Sequence, residues 1–176
     1  MLSGGESVIF DSSSTVAVVA QACLDRDLAL TAVTNDLGIG QMLATSAKMR
    51  IVVLGGTVRP GSLTLTGMPG EGFITKLYAD IAFIGAHAIS DGVPSETSLE
   101  AAAMKAAMMT AARRVVLLAD ASKFQIAAFC KICDPSKVHE VITDDRAPKA
   151  GVAALRDAGV TVVVVPSMCR RGATTP

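Results

Sequence analysis

Tryptophan is absent from this chain, and aromatic residues make up only 3% of it, with one tyrosine, Tyr78. Stacking platforms for bases or sugar faces are therefore missing, and recognition has to rest on hydrogen bonds and charge. Net charge is missing too, because 16 basic and 16 acidic side chains cancel. That removes the global attraction to phosphate backbones on which nucleic-acid binding draws. No run of about 20 apolar residues occurs, and even the Ala-rich stretch 101–112 carries Lys105, so no membrane span is expected. The first six residues, Met1 to Glu6, lack the basic-then-apolar order of a secretory signal, which makes a cytoplasmic location the default expectation. Cys130 and Cys133 form half of a zinc pattern without a second half, and neither His87 nor His139 has ligand-like spacing with them. Reduced thiols filling space are expected, with no metal and no cofactor. The phosphate-binding G-x-x-x-x-G-K-[ST] and G-x-G-x-x-G patterns and the G-x-S-x-G nucleophile elbow are likewise absent.

What the 176 residues do contain is an apolar fraction of 51%, enough for one sizeable core and short for two domains. β-branched runs recur at 7–10, 29–34, 50–54, 81–84, 115–119, 138–143 and 160–165. Several are apolar on both faces, as in a sheet covered on both sides. Stretches rich in Ala, Leu and Met lie between them, at 14–23, 37–47, 70–77, 99–112 and 150–158. They start near caps such as Ser14, Asp36, Ser98 and Pro148. Alternating strands and helices predict an α/β fold, an open and mainly parallel sheet with helices on both faces and right-handed crossovers. The segment 55–72, with six glycines and two prolines, reads as a long loop or irregular hairpin. Residues 167–176 show no apolar period and read as a frayed tail behind a domain of residues 1–166.

Ligands of open α/β sheets gather beyond the carboxyl ends of the strands, and the residues there are polar. Asp11-Ser12-Ser13-Ser14-Thr15 follows the first run, Asn35-Asp36 the second, Gly55-Gly56-Thr57-Val58-Arg59 the third and Asp120-Ala121-Ser122-Lys123 the fifth. The hydroxyls of Ser12, Ser13, Ser14 and Thr15, between a strand and a helix, offer either a phosphate cradle at the positive end of a helix dipole or simple capping. Arg59 and Lys123 can neutralise an anion there or stand as solvated surface charges. Gly55-Gly56 lets backbone approach a ligand or makes a tight turn. Asp11, Asn35, Asp36 and Asp120 suit sugar hydroxyls or serve as turn residues. Glu100 and Lys105, five apart on one helix, do not face each other, while Glu96, just before that helix, can cap it or reach the pocket.

The strings Ile9-Phe10-Asp11-Ser12-Ser13-Ser14-Thr15, Val33-Thr34-Asn35-Asp36, Val53-Leu54-Gly55-Gly56-Thr57-Val58-Arg59, Ala79-Asp80-Ile81-Ala82-Phe83-Ile84-Gly85-Ala86 and Leu118-Ala119-Asp120-Ala121-Ser122-Lys123-Phe124 occur in one order. Together they resemble the C-terminal sensor domain of DeoR-family bacterial transcriptional regulators, similar in fold to ribose-5-phosphate isomerase and glucosamine-6-phosphate deaminase. The resemblance spans about residues 5–165. It implies a sensor of a sugar phosphate or related metabolite, usually within a repressor. The ligand changes operator binding by a winged helix-turn-helix expected outside this chain, and the assembly is a homo-oligomer. It further implies that Asp11 and Ser12 to Thr15 hold phosphate or sugar oxygens, with Asn35, Arg59 and Lys123 around the pocket. Glu100 and Lys105 would then lie on the helix that closes it. No catalytic residue is implied for a sensor. The rival expectation is a sugar-phosphate isomerase or deaminase, with Asp120, Glu96 or His87 as base and Lys123 as electrostatic helper.

Overall fold

A computed structural model describes residues 2–167; of the expected tail at 167–176, all but Ser167 lies outside the described residues. The chain runs β1 (Ser7–Phe10), α1 (Ser14–Asp25), β2 (Thr31–Thr34), α2 (Leu37–Leu43), β3 (Arg50–Val53), β4 (Thr57–Val58), β5 (Leu65–Thr66) and α3 (Gly70–Ile74). It continues through β6 (Ala79–Gly85), β7 (Ala88–Ser90), β8 (Val93–Glu96), α4 (Leu99–Thr110), β9 (Ala112–Leu118), β10 (Cys130–Lys131), β11 (Glu140–Asp144), α5 (Lys149–Asp157) and β12 (Thr161–Val165). Single 3-10 turns span Ala121–Lys123 and Pro135–Lys137.

Seven strands form one sheet in the order β12-β11-β9-β6-β1-β2-β3, and every pair in it is parallel. The expected α/β architecture is therefore the observed one. Both faces are covered, which is why the central strands are apolar at consecutive positions. Val8 and Phe10 pack with Val16 and Ala20 of α1 and with Ile39 and Leu43 of α2. Ile9, between them in sequence, turns to the other face and joins Ile74 of α3, Met104 and Met108 of α4 and Leu155 of α5. The rings of Phe10 and Phe83 on adjacent strands stack with centroids 5.9 Å apart. α5 is the most clearly two-sided helix, with Val152 and Leu155 buried and Gly159 beyond its end at a φ of +84°.

Helices α2 and α3 end sooner than their composition predicts. Thr45 Oγ1 donates to Met42 O at 2.8 Å and Thr75 Oγ1 to Gly72 O at 2.9 Å. These hydroxyls bind main-chain acceptors in the last turn and compete with helix continuation. The stretch after Leu54 is the irregular hairpin, with β4 antiparallel to β5. A small antiparallel sheet, β10-β8-β7, was not expected, because Pro94 and the small residues around it carry no strand signal.

From β1 the chain goes outward to β2 and β3, then returns past β1 to β6 and on to β9, β11 and β12. The order reverses between β1 and β6, and a crevice opens beyond the carboxyl ends of strands at such a reversal. α1 starts there.

Candidate functional site

The elbow that joins β1 to α1 is stapled from three sides. Asp11 N donates to Phe83 O at 3.1 Å, and Asp11 Oδ2 accepts from Gly85 N at 2.9 Å, so the turn is tied to the end of β6. Ser12 N donates to Asn35 Oδ1 at 3.1 Å. Asn35 is itself held by donation of its Nδ2 to Leu65 O at 3.0 Å. Ser13 is the N-cap of α1, yet its hydroxyl makes no capping hydrogen bond. A cap residue normally spends its oxygen on the first-turn amides. Here the hydroxyl and those amides remain open to an incoming anion.

Behind the elbow lies a buried ion cluster. Lys105 Nζ is 3.1 Å from Asp11 Oδ2 and 2.7 Å from Glu96 Oε1, and it donates to Gly85 O at 2.9 Å. An ammonium has three donors, so all of them are spent within the protein. Burial works against the charge on Lys105, but Asp11 and Glu96 outweigh it and hold the ammonium above the usual lysine range. For Glu96, burial likewise favours the neutral acid, and the Lys105 charge and hydrogen bond prevail and hold it below the usual glutamate range. Glu96 Oε2 also accepts from Thr97 N at 3.1 Å.

A third wall comes from the 3-10 turn after β9. Asp120 Oδ1 accepts from Ser122 N, and Asp144 Oδ2, on β11, accepts from Ala121 N, both at 2.8 Å. Asp144 has its pKa lowered to about 2, first by the side-chain hydrogen bond from Arg146 and then by the Ala121 amide. The turn sets Lys123 into the crevice. Ser12, Ser13, Ser14, Thr15, His87, Glu96, Lys105 and Lys123 thus line a polar cleft of about 190 Å³. Since Lys105 is fully engaged, Lys123 is the cation in that lining with charge to offer a ligand.

The other expected site residues stand elsewhere. Arg59 and Glu100 border a separate recess of about 250 Å³ with Thr57 and Ser98, and Glu100 is exposed. Asp36 caps α2, accepting from Gly38 N at 2.8 Å and Ile39 N at 3.0 Å. Gly55 and Gly56 serve close packing. A Cβ on Gly56 would meet Thr66 O at 2.6 Å, and the Gly55 carbonyl lies 2.2 Å from where a Cβ on Gly70 would be. Asp120 caps the Lys123 turn, and Asn35 supports the elbow from behind. Two residues outside the expected site belong to its geometry. Glu96 is the counter-ion of Lys105, and Gly85 leaves room for Ser13. Among the described residues no cluster of three or more His, Cys, Asp or Glu is arranged to hold a metal ion, and no helix is long and apolar enough to cross a membrane.

The family model described as the DeoR C terminal sensor domain matches residues 1–145. The chain belongs to that family. This DeoR-type sensor domain is 28% identical over 161 residues to the HTH-type transcriptional repressor CsqR of Escherichia coli strain K12. The match takes in 91% of this chain and 61% of that protein. It is 30% identical over 154 residues to the glycerol-3-phosphate regulon repressor of the same strain, covering 87% of this chain and 61% of the relative. The chain thus spans about three-fifths of the length of these relatives. Among solved structures, eIF2B delta from Chaetomium thermophilum superposes with a TM-score of 0.54 at 17% identity, over 80% of this chain and 50% of that one. That likeness shows the fold alone. The chain is a ligand-sensing domain of the DeoR type, as its sequence strings imply.

Proposed function

We propose that the cleft between the Ser12–Thr15 elbow and Lys123 binds a compact phosphorylated polyol, and that its occupancy changes operator binding by a DNA-reading segment outside this chain. The single observation that carries this reading is that the unspent Ser13 cap and Lys123, which has no ion-pair partner among the described residues, line the same polar cleft. Phosphate takes the helix start and Lys123, while Glu96 and His87 face the hydroxylated end. At about 190 Å³ the cleft is smaller than the roughly 300–1,000 Å³ of drug-sized pockets, which favours an effector of a few carbons. A relative named as a glycerol-3-phosphate regulon repressor is in keeping with that size and charge.

On this reading residues 1–166 are the sensor unit, the protein acts in the cytoplasm as a homo-oligomer, and the cleft binds and releases its ligand unchanged. The absence of turnover is supported by the Glu96 carboxylate, which is committed to Lys105 and held below the usual glutamate range, and so is a poor proton acceptor.

Calorimetric titration with a panel of phosphorylated sugars and polyols tests the reading. At least one binds, and Lys123→Ala weakens it by about 1.5–3 kcal/mol, a tenfold to hundredfold loss. Arg59→Ala leaves the affinity within about twofold, since a rim charge outside the cleft contributes little. A folded protein silent across the panel overturns the proposal. Conversion of ribose 5-phosphate or glucosamine 6-phosphate would replace sensing with catalysis.

A further inference from the structure

Helices cover the two faces of the sheet unequally at the β12 side. On one face α5 closes over β11 and β12 through Leu155. On the other, α1 and α2 lie over β1, β2, β6 and β9, and beyond them an apolar groove of about 480 Å³ runs between α1 and the outer strands, bordered by Val18, Val19, Ile142 and Val165. Val18 is 68% exposed, Val163 38% and Val165 41%. In a soluble fold such a contiguous strip marks an interaction surface.

The same strip ends in an open strand edge. Among the described residues β12 pairs only with β11. Thr161 N donates to His139 O and Val165 O accepts from Asp145 N. In this parallel ladder Thr161, Val163 and Val165 therefore turn their backbone groups inward, and Val162 and Val164 turn theirs outward. No charge interrupts the strand, Thr-Val-Val-Val-Val, whereas the opposite edge begins at Arg50 with Lys48 just before it. Exposed edges without a charge or bulge are templates for another strand.

We propose that a second copy of this chain docks here, β12 antiparallel to β12 about a twofold axis at Val163. The outward groups are self-complementary in that arrangement, because Val162 exchanges both hydrogen bonds with the partner's Val164 and Val164 with the partner's Val162. Val163 then faces its own copy in the intervening non-hydrogen-bonded pair, and the two apolar strips become one continuous surface. Antiparallel pairing also sends the acidic ends, Asp144 and Asp145 beside Val165, to opposite ends of the shared ribbon, so like charges do not meet. Ser14, Thr15 and Leu118 line both this groove and the polar cleft, which sets the interface beside the elbow. The proposal does not depend on the effector's identity.

Sedimentation velocity on the full chain over a range of concentrations should show a dimer. Val164→Pro removes an outward N–H and keeps the ladder to β11, a placement edge strands tolerate. It raises the dimer dissociation constant by about a hundredfold or more with an unchanged far-ultraviolet circular dichroism spectrum. Val163→Cys, whose paired Cα atoms would lie about 4.5 Å apart, gives a disulfide-linked dimer on a non-reducing gel that the unsubstituted chain does not give. A monomeric chain at all concentrations, a Val164→Pro dimer as tight as the parent, or Val163→Cys that fails to cross-link would each overturn the proposal. So would a monomer that dimerises only after removal of residues 168–176, which would make that segment the occupant of the groove.

Discussion

Lys105→Met is expected to lower folding stability by about 3–5 kcal/mol at neutral pH, because it strips the counter-charge from two buried carboxylates and leaves them uncompensated. Asp11 is fully buried, and its Oδ1 has no hydrogen-bond partner among the described residues. Without Lys105 the carboxylate keeps only the Gly85 amide on its other oxygen. Urea unfolding followed by circular dichroism measures the loss. The pH dependence gives an independent check. Glu96 is held below its usual range in the folded state, so its contribution is complete above the unfolded value of about 4.3 and fades as pH falls through the lower folded value. Lys105 is held above its usual range, so its contribution is complete below about 10.4 and fades only as pH rises through the higher folded value. The parent protein should therefore hold a plateau between those limits. Lys105→Met inverts the acid side, because burial, no longer opposed by the ammonium, raises Glu96 and the variant becomes more stable as pH falls from 7 toward 5. A variant within about 1 kcal/mol of the parent, with a flat acid limb, would remove the cluster from any part in supporting the elbow.

Gly85→Ala is the second large effect. A Cβ at Gly85 would stand 2.4 Å from Ser13 Oγ and 2.6 Å from Ser13 Cβ. Rotating the hydroxyl relieves the first contact and not the second, so the elbow itself has to move. The overpacking costs about 1–3 kcal/mol. On the proposed binding mode the displaced Ser13 also loses a hydrogen bond to the effector, a further tenfold or so in affinity. Adding Ser13→Gly should return most of the stability and little of the affinity, since it removes the clashing atoms along with the hydroxyl; the coupling in a double-mutant cycle is the diagnostic. Melting curves and calorimetry on the four proteins decide this. Unchanged ligand affinity in Gly85→Ala would detach Ser13 from the binding site.

These two residues also show where sequence reasoning stops. The strands around 7–10, 81–84 and 115–119 were legible because a sheet buried on both faces demands continuous apolar runs, and the helices between them because stretches rich in Ala, Leu and Met begin near capping residues. The elbow was legible because four hydroxyls at a strand-to-helix junction are chemically unusual. The alliance of Asp11, Glu96 and Lys105 was not, since it joins three elements through space. It exists because β7 and β8 turn back after β6 and deliver Glu96 over the start of α4. Arg59, carried by the β4–β5 hairpin, and Glu100, in the first turn of α4, show the converse, as residues of the right chemistry that border a neighbouring recess.

By itself the sequence determined the layered α/β architecture, its family and the polar character of the strand ends, all of which follow from local periodicity and short strings. Only the tertiary structure decided which of those polar ends meet, that Lys105 is spent while Lys123 has no ion-pair partner among the described residues, and that one valine edge has no neighbouring strand among them. The physical reason is that hydrogen-bond capacity and burial are properties of neighbours in space, and the chain order does not contain those neighbours.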